Sequence, residues 1–198
     1  MSAEVVIADT GGANVASLCF AFERLGAVSR VTADGATIAS AERVVLPGVG
    51  AADHAMERLR AAGLINVLRT LTQPVLGICL GMQLLFQQSD EGATRCLSVL
   101  PGVVHGLAAL PGRPVPHMGW NEVRRLKADP LLQGIADRAY AYFVHSFAAG
   151  ISEVTLASTE YGSALSAVVR RGNFYGAQFH PERSGKTGAR LLQNFLSL

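Results

Sequence analysis

The sequence predicts an α/β protein with a mixed, largely parallel sheet between two layers of helices. Three observations carry this. In the first half, short apolar runs alternate with stretches of helical periodicity. Those runs are apolar throughout rather than at every second residue, as in strands buried on both faces. The second half consists of strand-like segments with short turns such as Gly172-Asn173, followed by one closing helix.

Residues 4–9 read as a buried strand closed by Gly11-Gly12. A helix follows, with Val15, Leu18, Cys19, Phe22 and Leu25 at three- and four-residue steps and Gly26 as its stop. Residues 28–31 and 43–46 are the next strands, the second ending at Pro47-Gly48. Helices over 52–61 and 64–71 lead to a strand over 74–78, and Cys79 then opens a helix carrying Leu80, Leu84 and Leu85. Beyond it, residues 103–107, 121–126, 140–147, 154–157, 167–171 and 174–179 are strand-like and are expected to extend or flank the sheet in antiparallel fashion. The last helix, 186–196, is expected to bury Ala189, Leu192 and Phe195. With no linker or internal repeat, residues 1–198 are read as one domain; the segment 111–116 reads as a surface loop.

Composition limits the function classes. The chain has 198 residues, 49% of them hydrophobic, and a formal charge of +2. Such a balance gives no general attraction to nucleic acid or to an anionic membrane. Arg124-Arg125 and Arg170-Arg171 read as solvated strand ends. No apolar run approaches the roughly 20 residues that span a bilayer. Glu4 and Asp9 interrupt the first apolar segment, so no signal peptide is expected. The three cysteines, Cys19, Cys79 and Cys96, are odd in number and lack metal-ligand spacing. A reducing cytoplasm, no metal and no cofactor are the expectation.

Two motifs carry chemistry. Gly77-Ile78-Cys79-Leu80-Gly81 places a cysteine between glycines where a strand turns into a helix. Such an elbow lifts a nucleophile out of the sheet edge, and a helix N-terminus favours its thiolate. Cys19 lies on the apolar stripe of its helix and reads as inert; Cys96 has no surrounding signal. Gln178-Phe179-His180-Pro181-Glu182 places a histidine where the chain leaves another strand, with a carboxylate two residues on. A glutamate there can bind one imidazole nitrogen and leave the other for the thiol. Acyl transfer also needs oxyanion donors. The N–H of Leu80 is one; Pro47-Gly48-Val49-Gly50 offers another, or is simply a tight turn.

With these motifs the chain resembles the class I, triad-type glutamine amidotransferases, which have a flavodoxin-like α/β/α fold. Within them it resembles the glutaminase subunits of imidazole glycerol phosphate synthases. The resemblance spans essentially the whole chain. It rests on the two motifs above together with Asp9-Thr10-Gly11-Gly12-Ala13-Asn14, Leu46-Pro47-Gly48-Val49-Gly50, Pro116-His117-Met118-Gly119-Trp120-Asn121 and Tyr142-Phe143-Val144-His145-Ser146-Phe147. It implies that Cys79 attacks the side-chain amide of glutamine, that His180 serves as base and then acid, and that Glu182 orients His180. It further implies oxyanion donors at Val49 and Leu80, and glutamine contacts at Gly50, Gln83, Ser146 and Phe147.

The resemblance also implies a partner. This is a cyclase subunit, a (β/α)8 barrel that receives ammonia within a heterodimer and makes imidazole glycerol phosphate and aminoimidazole carboxamide ribotide in histidine biosynthesis. Asn14, Trp120, Tyr142 and Arg183 would face it, although a lone tryptophan can equally pack in a core. His117 is read as structural in a loop and His145 as shaping the glutamine pocket; His54 and His105 receive no role. Thr10, Ala13, Phe147 and Arg183 depart from the tyrosine, glycine, tyrosine and lysine common in the family. Competing readings are an amidotransferase serving another synthase, a γ-glutamyl hydrolase or cysteine peptidase, and an inactive interaction subunit.

Overall fold

The computed structural model describes residues 3–9 and 15–198. In chain order the first half gives β1 (Glu4–Ala8), α1 (Val15–Glu23), β2 (Val28–Thr32), α2 (Gly35–Ser40), β3 (Val44–Leu46), α3 (Ala52–Ala61), α4 (Leu64–Arg69), β4 (Val75–Ile78) and α5 (Leu80–Leu84). The second gives β5 (Gln88–Ser89), β6 (Thr94–Arg95), β7 (Val103–Gly106), β8 (His117–Arg125), β9 (Ala139–His145), β10 (Phe147–Ala149), β11 (Thr155–Glu160), β12 (Ala164–Arg171), β13 (Phe174–Ala177) and α6 (Gly185–Leu196).

The main sheet has nine strands in the order β2-β1-β3-β4-β13-β12-β11-β8-β9. Its first five are parallel, and the remaining pairings are antiparallel. The unbroken apolar runs have a direct cause. Successive side chains point to opposite faces of a strand, and here each face meets its own core. Val5 and Ile7 join Leu18, Phe22, Leu192 and Phe195 on one side. Val6 and Ala8 join Ile38, Leu59, Leu64 and Leu68 on the other. Each fully buried large side chain contributes about 1.5–3 kcal/mol, so both layers of helices are held by substantial burial.

Several expectations need correction. Residues 174–179 were expected to be antiparallel; β13 instead pairs parallel with β4 and antiparallel with β12, making it the hinge between the two halves. Residues 140–147 are not one strand: the chain breaks at Ser146, and β10 joins β7, β5 and β6 in a separate four-stranded sheet. The segment around Trp120 is not a loop but the start of the nine-residue β8. Helix α2 left no apolar stripe to read, since only Ile38 is buried; its signal was Asp34, whose carboxylate accepts the N–H of Thr37 at 2.8 Å. Helix α6 buries Gly188, Leu191, Leu192 and Phe195, leaving Ala189 exposed. Arg170 is no free strand end: it pairs at 2.7 Å with Asp129, whose side chain is only 4% exposed.

Candidate active site

The carboxyl ends of parallel strands are where ligands bind in such sheets. Here three adjacent strands, β3, β4 and β13, end together: Leu46 is in register with Gly77, and Ile78 with Ala177. They deliver the 47–50 loop, Cys79 and His180 to one edge.

Cys79 has φ 51° and ψ −111°, a conformation that costs a non-glycine residue about 1–3 kcal/mol. Its surroundings impose it. The Cys79 N–H donates to the Ala177 carbonyl at 2.8 Å. A Cβ on Gly81 would lie 1.8 Å from the Leu46 carbonyl oxygen, and one on Gly48 would lie 2.5 Å from the Gly81 nitrogen. The loop after β3 is therefore pressed against the first turn of α5. Leu80, next to the nucleophile, and Val49, next to the touching Gly48, both belong to backbone at the elbow.

His180 follows β13, and its N–H donates to the Tyr142 carbonyl at 3.0 Å. Its Nδ1 lies 2.8 Å from Glu182 Oε1, with the two side chains only 5% and 4% exposed. Glu182 Oε2 is buried without a hydrogen-bond partner among the described residues, which leaves His180 as the main counter-charge. The turn is clamped by Ser184, whose hydroxyl donates to the His180 carbonyl at 2.7 Å and accepts the Tyr142 N–H at 2.9 Å. Burial alone would lower the His180 pKa. Hydrogen bonding and charge from Cys79 and Glu182 outweigh it and raise the value to about 10. These partners favour the protonated imidazole.

A cavity of about 250 Å³ opens over Cys79, lined by Gln83, Glu91, Pro116, Val144, His145, Ser146 and Phe147. Gln83 Nε2 donates to the Phe147 carbonyl at 2.7 Å and to Gln178 Oε1 at 3.0 Å, while Gln178 Nε2 lies 3.8 Å from Cys79 Sγ. The Glu91 carboxylate lines the same cavity and accepts the N–H of Ala52 at 2.8 Å. A thiol, an imidazole paired with a carboxylate, a second carboxylate and several backbone groups are the chemical groups that covalent cleavage of a small polar amide requires.

Of the residues singled out from sequence, Cys79, His180 and Glu182 come together, and Gln83, Ser146 and Phe147 line the cavity with Cys79. His145 lines it too, as expected. Gly50 is not part of that lining; it stands at φ +98° just beyond Val49. Glu91, Gln178 and Ser184 were missed. Gln178 and Ser184 flank the histidine motif and differ from ordinary polar residues only in being 0% and 1% exposed. Glu91 sits in a polar stretch that reads as a turn. Trp120, 55% exposed, packs edge-on against Tyr142 at 6.0 Å, and the Arg183 guanidinium lies 5.0 Å from the Tyr142 ring centre. These three form one surface beside the base turn, and core packing of Trp120 is excluded. Asn14 lies outside the described residues.

Fold and site together define an amidotransferase of the nucleophile-elbow kind. The profile for "Glutamine amidotransferase class-I" matches residues 6–198, and the chain belongs to that family. Within it, the chain is 51% identical over 195 residues to the imidazole glycerol phosphate synthase subunit HisH of Xanthomonas axonopodis pv. citri (strain 306), covering 98% of each protein. It is 49% identical over 195 residues to the subunit of the same name from Xylella fastidiosa (strain 9a5c), again covering 98% of each. Among solved structures, PurLQS from Thermotoga maritima shares the fold, with a TM-score of 0.75 at 19% identity over 100% of this chain and 99% of that one.

Proposed function

We propose that this chain is the glutaminase subunit of an imidazole glycerol phosphate synthase and hydrolyses glutamine through Cys79, His180 and Glu182. The observation that carries the reading is the buried 2.8 Å His180–Glu182 pair, set beside Cys79 at the elbow, in a chain 51% identical to HisH subunits.

His180, whose pKa is raised, is suited to take the thiol proton. The Cys79 sulfur attacks the substrate carboxamide carbon as its proton passes to His180, the base. The tetrahedral oxyanion is held by the Leu80 and Val49 N–H groups. His180 gives its proton to the leaving nitrogen, ammonia departs, and a γ-glutamyl thioester remains. Neutral His180 then takes a proton from water, whose oxygen attacks the thioester. His180 returns that proton to the departing Cys79 sulfur, and glutamate leaves. Glu182 holds the imidazole orientation throughout. Ser146, Phe147 and Gln83, which line the cavity, hold the substrate, with the Gly50 backbone reaching it from the 47–50 loop outside that lining, and Glu91 supplies a carboxylate for its ammonium group.

The ammonia passes to a cyclase subunit, a (β/α)8 barrel, in a cytoplasmic heterodimer. Trp120, Tyr142 and Arg183 supply the docking surface, a solvent-facing aromatic and arginine cluster of the kind enriched in interface hot spots. The 47–50 loop is the point of coupling: partner binding turns the Val49 peptide to complete the oxyanion hole.

The test is glutamate release by the purified chain alone, then with an imidazole glycerol phosphate synthase cyclase and its ribotide ligand. Strong stimulation is expected. Equal rates in both states would remove the cyclase and leave a hydrolase or another amidotransferase; no release in either state would leave an inactive subunit.

A further inference from the structure

Besides His180, two more histidines are buried, His117 and His145, and the proposed reaction steps use neither; His145 lines the cavity and His117 lies behind it. His117 Nδ1 is 3.0 Å from His145 Nε2. His145 Nδ1 is 2.9 Å from the Phe147 carbonyl oxygen, and Asn121 Nδ2 is 3.2 Å from His117 Nε2. The ends of this chain fix its direction. A carbonyl oxygen only accepts, so His145 carries its proton on Nδ1 and offers a lone pair at Nε2. His117 must then donate from Nδ1 and accept at Nε2. The other end agrees: Asn121 Oδ1 accepts the Glu122 N–H at 2.8 Å and Nδ2 also donates to the Glu160 carbonyl at 3.0 Å, so Nδ2 is the donor toward His117. The His117 ring is stacked between Phe143 and Tyr161, at 4.8 and 4.0 Å, and has little freedom to turn.

The Phe147 carbonyl receives two donors, His145 Nδ1 and Gln83 Nε2, which fills both of its lone pairs. Through Gln83 and Gln178 the network continues to Cys79 Sγ. Asn121 and His117 stand on β8, one and three residues from Trp120, so this polar chain joins the Trp120 strand to the turn at Ser146-Phe147 and to the nucleophile.

We infer that His117 and His145 are positioning residues for glutamine turnover: a one-directional relay from β8 to the Phe147 carbonyl that fixes the substrate-holding turn. This rests on the glutaminase reading above. Burial supports it by pushing both imidazoles down to about 4, so that each is neutral wherever the enzyme works. A second proton on either ring would set two N–H groups against each other and break the order.

Two readouts test the proposal. In ¹⁵N NMR of the intact chain, both rings are expected as neutral Nδ1–H tautomers, the form less common in water; an imidazolium or an Nε2–H tautomer at either position overturns the relay. Steady-state kinetics are then run with the cyclase and its ribotide. His117→Phe keeps the ring stack but cannot donate, and KM for glutamine should rise about tenfold with a smaller loss of kcat. His117→Asn restores a donor near the Nδ1 position and should recover most of that KM. An unchanged KM in a His117→Phe protein that melts cooperatively refutes a positioning role. So does greater damage from the Asn variant, which loses the stack, than from the Phe variant, which would mean packing alone. If the wild-type chain fails to hydrolyse glutamine, the positioning role falls together with the glutaminase reading, while the NMR still judges the relay geometry.

Discussion

Around Cys79 the chain is locked by backbone touching backbone; around His180 it is locked largely by side-chain hydrogen bonds. At the elbow, Gly48, Gly77 and Gly81 each meet backbone within 3 Å of where a Cβ would stand. At the base turn, Ser184 makes two hydrogen bonds and Glu182 one, with a single close approach where Gly188 of α6 admits the Pro181 carbonyl. The difference suits the two tasks. A nucleophile in a strained conformation needs neighbours that cannot yield. A base that must gain and lose a proton needs partners whose charge and hydrogen bonding set its pKa. The elbow is therefore sensitive to one methyl group, and the base turn to one heteroatom.

The largest expected effect sharpens the first half of that contrast. Gly81→Ala places a methyl against the Leu46 carbonyl and should cost at least about 3 kcal/mol in urea unfolding, with loss of glutamine turnover. A cost under about 1 kcal/mol would mean that the elbow can yield, and the contrast would break. Glu182→Gln keeps the shape of the base turn and removes its charge. Glutamate release should fall about a hundredfold or more, with little change in unfolding free energy. A large stability loss with retained turnover would make Glu182 a structural group.

The third expectation concerns pH. The folded His180 pKa, about 10, exceeds the unfolded value of 6.5. The stability contributed by this proton is therefore complete below pH 6.5 and is lost as pH rises toward 10. In ¹H NMR the His180 ring should stay protonated through neutral pH, and its midpoint should fall in both Cys79→Ala and Glu182→Gln. A midpoint near 6.5 in the wild-type chain would remove the resting ion pair from the mechanism. The smallest effect belongs to Ser184→Ala, which loses two hydrogen bonds but no charge. It should cost about 1–2 kcal/mol of stability and less kcat than Glu182→Gln. Equal kcat losses would mean that the clamp matters as much as the carboxylate.

Much of this was legible in the chain. Short motifs brought Cys79 and the His180–Glu182 pair into view because elbow and base turn are local: glycine spacing and an i, i+2 pair are visible in sequence. The parallel half was legible because burial on both faces leaves unbroken apolar runs. The antiparallel half was harder. Trp120 was expected in a loop because it sits between Gly119 and Asn121; in β8 Met118 and Trp120 face outward while His117 is buried, the reverse of the usual strand pattern. Ala189 was misplaced because its three-residue step to Leu192 fits a helical stripe, whereas the buried stripe runs through Gly188, one position earlier.

The sequence by itself determined the α/β class, the elbow cysteine and the histidine–glutamate pair, since each depends on residues close along the chain or on periodicity. Tertiary structure alone decided that β13 runs parallel beside β4, that Glu91 reaches the cavity over Cys79, and that His117 and His145 meet. Those facts depend on segments distant along the chain being brought together. Hydrogen bonds are directional and short-ranged, and no local pattern records which distant group will supply the other half.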